Sequence, residues 1–565
     1  LKSLGYIYIF AWEKNSAPHE EEVKNMRGVS KAVWAAVVIV VVIVLAAAAL
    51  LMQKPTPAPA PAPTPTPPPA PPTPKYADTI TIGTTDKISD LDPAMAYDFF
   101  TWEVFNNVME GPFKYKPGTT DLEKGIITDY QVQEGGKVYI LKLRTDLKFA
   151  DGSPCNANTL KWSIERVARI NGDPAWFVTD LVDKVDVIDD YTLKITLKSP
   201  LSFFPAILAV PTYFPIPPDK YPADKVSSDN TAGGVGPYRI VKFVRDQQLV
   251  LEANPYYYGT PPKTKTVVIK FYKDATTLRL ALESGEIDIA WKTLNPTDIN
   301  SLKTKPGIKV WEGPGSFIRY IVFNTKIPPF DNKLVRQALA AALDRNSIAQ
   351  KVFLGTVDPL YSLIPNGMWG HIDAFKDKYG EANLDLAKQL LRQAGYSESN
   401  KLKVELWYTP SHYGDTEADV AALIKEAWEK TGMVEVTVKS AEWSTYLDLT
   451  RKGQLAVTLY GWYPDYMDPD DYTFPFLHTG SNRWLGNPYS DPEMDKMLEQ
   501  AQVEPDQSKR VELYKNIQIK LADDAPIVPI FQGKLYVASK DTVGGIVLDP
   551  LMLLRYYLIY KQVGS

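Results

Sequence analysis

The sequence predicts an α/β protein with mixed sheets, carried on a proline-rich stalk behind a single membrane helix. Three observations predict it. Residues 32–52 form one apolar run without a charge or a proline. Residues 55–74 contain 12 prolines. Residues 76–565 then alternate short β-patterned runs with amphipathic helical stretches, with no repeat and no second low-complexity linker.

Taken in order, residues 1–31 read as an N-terminal extension with an acidic run at Glu20–Glu22, and Met26 offers an internal translation start. The 21 residues of 32–52, AVWAAVVIVVVIVLAAAALLM, suffice to cross a hydrocarbon core. At about 1.5 Å per residue they reach roughly 30 Å. They read as a transmembrane anchor or a signal. A retained anchor is favoured, because signal cores run about 7–15 residues, although Ala46–Ala49 could serve a signal peptidase. No cysteine follows the run, which excludes a bacterial-type lipoprotein anchor. Lys24, Arg27 and Lys31 precede it and only Lys54 follows closely, so the bulk of the chain is expected outside the cell. Residues 53–75 form the linker. Proline fixes φ and removes the amide donor, which favours a polyproline II spacer of roughly 60 Å.

In the globular part, TITIGTT (79–85), KVYILKLR (137–144), TLKITLK (192–198), TVVIKFY (266–272) and KVELWY (403–408) carry strand patterns. Residues 334–353 read as one long helix beginning near Asp331 and Asn332, with Asp344 and Arg345 forming a local ion pair at its end. Residues 385–395, 418–432 and 507–525 read as further helices, the first stopped by Gly395. Gly233-Gly234-Val235-Gly236 reads as a turn, since Pro237 and a strand-like run follow. Phe149 is a core candidate, and Asp151-Gly152 and Asp468-Pro469 suit turns.

Composition narrows the function. The net charge of −5 excludes a broadly basic nucleic-acid binder. A single cysteine, Cys155, excludes an intrachain disulfide. The four histidines lie far apart without ligand spacing, so neither a metal nor a cofactor is expected. No GxSxG elbow, Walker A loop or strand-linked GxGxxG occurs, and the chain is not expected to be an enzyme. The acidic group Asp465, Asp468, Asp470 and Asp471 leaves one enzymatic alternative, an anchored hydrolase using paired carboxylates.

Several segments, in order, resemble the family 5 extracytoplasmic solute-binding proteins, the peptide-, dipeptide-, oligopeptide- and nickel-type receptors of ABC importers. They are SDLDPAMAYD (89–98), LKLRTDLKFADGSPCNANTLKWSIERV (141–167), VGPYRIVKF (235–243) with NPYYYGTPPK (254–263), and ATTLRLALESGEIDIA (275–290). FNTKIPPFDNKLVRQALAAALDR (323–345), EWSTYLDLTRKGQ (442–454), GWYPDYMDPDDY (461–472) and NPYSDPEMDKML (487–498) complete the series. The resemblance implies a two-lobed periplasmic-binding-protein type II fold with an extra subdomain and a hinge. Lobe I would span 76–320 with the subdomain, lobe II 321–530, and 531–565 would return to lobe I. It implies a monomeric receptor that closes over a peptide, or alternatively an oligosaccharide, and delivers it to a permease with ATPase subunits.

The same resemblance places the ligand ammonium on Asp465, three residues after Trp462. It implies backbone contacts from Gly461 and Tyr463, aromatic walls from Trp462 and Trp443, and an approach by Thr85 and Asp86. Asn324 reads as a lobe-crossing residue or a turn cap. Some oligopeptide receptors carry an arginine two residues before this glycine to bind a ligand carboxylate. Here Leu459 stands there, and Arg451 and Arg483 are the nearby substitutes.

Overall fold

Two long strands, Ile308–Phe323 and Ile527–Lys540, run antiparallel through the middle of an 11-stranded mixed sheet. They belong to a computed structural model that describes residues 41–49, 75–292, 294–410 and 412–563. On one side of the pair the sheet continues through Val457–Trp462, Leu402–Tyr408 and Val434–Ser440. On the other it continues through Ile289–Trp291, Thr79–Thr84, Thr266–Phe271, Gln248–Ala253 and Tyr238–Val244, and the short strand Val357–Pro359 pairs with Ile527–Lys540 as the eleventh. The two long strands are therefore shared by both halves.

Their pairing slips twice, between Pro314 and Ile318 and again between Arg319 and Tyr320. Ile308 to Pro314 face Lys540 to Lys534, and pairing resumes with Ile318 opposite Gln532. The backbones come close at the first slip. A Cβ on Gly315 would lie 2.5 Å from the Gly533 carbonyl oxygen, so only glycine fits there. A separate antiparallel sheet of Ile127–Gln133, Val138–Leu143, Thr192–Leu197 and Val182–Asp189 carries the helix Ala157–Ile170. Each predicted strand lies within a residue or two of an observed one, and Phe149 is a core residue.

The expected helix over 334–353 is broken. It runs Lys333–Ala342, and Leu343 leaves it in an extended conformation. Asp344 causes the break, because its carboxylate accepts from the Ser347 amide (2.9 Å) and hydroxyl (2.7 Å) and starts a new turn. The expected Asp344–Arg345 ion pair does not form. Arg345 is buried, and its Nε donates to the Leu360 and Pro529 carbonyls, both at 2.9 Å. Asn324 caps a turn, accepting from the Lys326 amide at 3.1 Å directly after the long strand ends.

By internal packing the chain divides into 1–72 and 73–565. Val41–Ala49 is helical, whereas the rest of the expected anchor and residues 53–74 lie outside the described residues. No helix among the described residues is long and apolar enough to cross a membrane.

Candidate ligand-binding cleft

The loop after Trp462 is held by its own carboxylates. Asp468 accepts from the Asp470 amide (3.0 Å) to start the 3-10 turn Pro469–Tyr472. It also takes a bidentate pair from Arg510 on the helix Gln507–Asp524, at 2.9 and 2.7 Å. Asp471 turns back and accepts from the Trp462 indole (3.0 Å) and the Asp465 amide (3.2 Å). Asp465 in turn accepts from the Tyr97 hydroxyl at 2.7 Å. The segment thus folds around four acids, of which only Asp468 is paired with a cation among the described residues.

This arrangement changes the acids. Asp465 is half-buried. That burial pushes its carboxyl up to about 7, against the pull of the Tyr97 hydroxyl. Asp471 is raised well above the usual range by burial first and by the neighbouring Asp465 charge second. Asp470 is pushed up to about 7 by burial and by Asp468. The Asp465–Asp471 pair therefore tends to keep a proton near neutral pH while it has no cation beside it.

Next to this loop lies a cavity of about 600 Å³. Phe99, Phe317, Arg319 and Tyr463 line it, with Lys292 and the loop His412 to Glu417. Tyr463 stacks on Phe317 at 5.4 Å and packs on Phe99 at 5.0 Å. Phe99 also lines a small cavity of about 20 Å³ that Asp465 borders.

The remaining candidates fall in three places. Asp86 lines the main cavity but is paired with Lys292 at 3.3 Å, and Thr85 precedes it at the end of Thr79–Thr84. Trp443 and Trp462 are not in the cavity wall. Trp443 stacks on His412 at 3.6 Å, and Trp462 packs on Phe476 and Trp484 while holding Asp471. The Gly461 carbonyl accepts from the Tyr320 and Tyr413 hydroxyls at 3.3 and 3.4 Å. Leu459 is buried, and neither Arg451 nor Arg483, both exposed, reaches the cavity wall.

Sequence reasoning missed the cavity's cations. Arg319, buried, and Lys292, half-buried, both line it. Burial opposes the charge of Lys292, but Asp86 and Glu103 outweigh it and raise its pKa. His412 is pushed down to about 4 by burial and by Arg319, so it is neutral at pH 7. A signal did exist for Arg319: it is the one charge inside the apolar strand run SFIRYIVF, residues 316–323.

Comparison with known proteins accounts for this architecture. The family model described as bacterial extracellular solute-binding proteins, family 5, matches residues 121–484. The chain belongs to this family. It is a solute receptor of two lobes with mixed sheets, and not an enzyme. The receptor is 30% identical over 488 residues to the probable D,D-dipeptide-binding periplasmic protein DdpA of Escherichia coli (strain K12), covering 84% of this chain and 92% of that one. It is 29% identical over 490 residues to the dipeptide-binding protein of the same organism, covering 80% and 88%. The structure of HbpA2 from Haemophilus parasuis superposes with a TM-score of 0.76 at 26% identity, covering 86% of this chain and all of that one.

Proposed function

We propose that this receptor captures peptides outside the cell for an ABC importer and holds their α-ammonium at Asp465. One observation carries the reading. Asp465 and Asp471 are two adjoining carboxylates in a desolvated site with no lysine or arginine beside them among the described residues. Such a pair is costly alone and becomes favourable once a cation enters. The dipeptide-binding names of two relatives agree with it. Phe99, Phe317 and Tyr463 give apolar faces for side chains. Trp443, stacked on His412 of the cavity wall, and Trp462 would stand behind the site as aromatic groups, Gly461 and Tyr463 would supply backbone, and Thr85 and Asp86 would approach from the strand Thr79–Thr84. The peptide type is favoured over the nickel type because aromatic faces stand beside the acids.

Residues 32–52 would anchor the receptor and 53–75 hold it off the surface, with lobes at 76–320 and 321–530 and a return over 531–565. Lobe closure would present the filled receptor to the permease. Intact mass of the membrane-extracted protein tests the anchor: cleavage near Ala46–Ala49 would show as loss of everything before it. The ligand reading is tested by calorimetric titration with a free-amine peptide and its N-acetylated form. The Asp465→Asn change should weaken the free-amine peptide about tenfold or more, which is ~1.4 kcal/mol or above. It should leave the acetylated form nearly unchanged. Equal affinities for both forms in the unaltered receptor would sink the ammonium role, and are what an oligosaccharide receptor would give.

A further inference from the structure

We propose that Ser202 and Phe203 hold the acid-bearing loop from across the cleft and latch the two halves shut, so that ligand retention depends on residues outside the cavity. This rests on the peptide capture and lobe closure proposed above and adds the contact that secures the closed form.

The chain path makes the contact a crossing. Residues 324–526 join the rest of the chain at Phe323 and Ile527, the adjoining ends of the two long strands. The 600 Å³ cavity is lined from both sides of that junction, by Asp86, Phe99 and Lys292 on one and by His412 and Tyr463 on the other. Ser202 and Phe203 belong to the first side, Tyr466 and Gln502 to the second. None of the four lines this cavity or the small one beside Asp465.

Four contacts close a ring. The Phe203 ring stacks on Tyr466, with centroids 5.4 Å apart and planes 7° from parallel. The Tyr466 hydroxyl donates to Asp470 at 3.0 Å, and the Gln502 side-chain amide donates to the same carboxylate at 3.4 Å. The Gln502 carbonyl accepts from the Ser202 amide at 2.8 Å. That carbonyl is among the last of the helix Pro492–Val503, which have no donor within the helix. Phe203 and Tyr466 are both buried, so parting the halves here would wet two rings and strand a carbonyl.

Both mounts are firm. The Leu201 amide donates to the Gly136 carbonyl at 3.2 Å, and the Leu201 carbonyl accepts from the Tyr139 hydroxyl at 2.8 Å, which ties the latch to the four-stranded sheet. On the other mount, three successive residues take contacts from the first side. Tyr97 donates to Asp465, Phe203 stacks on Tyr466, and the Met467 amide donates to the Tyr115 hydroxyl at 3.0 Å. A cation seated at Asp465 therefore favours the same approach of the halves that stacks Phe203 on its neighbour Tyr466.

The test uses the full chain in mild detergent with spin labels on Ile188→Cys, in the four-stranded sheet, and Glu435→Cys, in the far part of the large sheet. Both positions are exposed, whereas Cys155 is buried and stays unlabelled. The probe is a defined mixture of di- to pentapeptides with free ends. At saturation the unaltered receptor should show a single short separation, and Phe203→Ala should keep about a third or more of its molecules at a longer one. Release of captured peptide, followed by native mass spectrometry after dilution, should be about threefold faster or more in that variant. Its preference for the free-amine mixture over the N-acetylated one should persist, since Phe203 touches no ligand. Melting curves accompany every variant, and Phe203→Leu decides the matter if Phe203→Ala does not fold. Closure and release like those of the unaltered receptor, in a folded variant, overturn the proposal. If the mixture leaves the unaltered separation unchanged while the variant still lengthens it, ligand-driven closure falls and the latch stands as a fixed clamp. If neither ligand nor variant moves the separation, both fall.

Discussion

A half-buried carboxylate with no cation beside it weakens the fold that holds it, and Asp465 is such a group among the described residues. Its carboxyl is raised from the ordinary value to about 7 by burial. The folded chain thus holds that proton more tightly than the unfolded chain does. The stability linked to it is fully present below about pH 4 and is lost as pH rises through about 7. The ligand-free receptor should lose melting temperature between pH 5 and 8 by more than the Asp465→Asn variant does. At pH 8 the empty variant should be the more stable by about 1–3 kcal/mol. Thermal melts of both across that range check this, and identical pH profiles would show that Asp465 is not desolvated. The sequence pointed to Asp465 because it stands in a segment whose resemblance implies a role for it. It did not point to Arg319, because the space for that side chain depends on Gly461, which lies far away in sequence and directly opposite in the sheet.

Among elements, the loop after Trp462 depends on a support that the sequence did not single out. Asp468 read as a turn residue and is one, but it also receives both arms of Arg510 from the helix Gln507–Asp524. Both side chains are buried. Asp468→Ala should cost about 3–5 kcal/mol by leaving a buried guanidinium unpaired, measured by chemical denaturation. A loss below 1 kcal/mol would mean that water reaches Arg510. The LDP segment has the same kind of role, since Asp92 binds Arg166 with two 2.7 Å bonds. Strands with regular alternation were legible because the period of two is written locally. The break at Leu343 was hidden, because the run 334–353 keeps its apolar period while the Asp344 cap, a local competitor, redirects the backbone. Each arginine pairing needed the three-dimensional neighbour and could not be read from one segment.

Over the whole molecule, the two long shared strands are where any movement of one half against the other must be absorbed. Their register slip between Pro314 and Ile318, with Gly315 facing Gly533, adjoins Phe317 and Arg319 in the cavity wall. The lobe closure proposed above would have to be accommodated at or near this slip. Small-angle scattering should show the radius of gyration falling when a captured peptide is added, and not when its N-acetylated form is added. An unchanged radius on saturation would place binding in a rigid site. The large α/β unit was legible from its alternation of strand and helix patterns. The path of the chain between the halves was not, because strand pairing over hundreds of residues leaves no periodic trace.

The most direct test of the peptide receptor is the mass of what it already carries. Native mass spectrometry of the full chain, purified in mild detergent without added ligand, should release small molecules whose masses differ by amino-acid residues. Asp465→Asn should carry far less of them. A released series spaced by hexose or pentose units would contradict the account, keeping the solute receptor but removing the ammonium from Asp465.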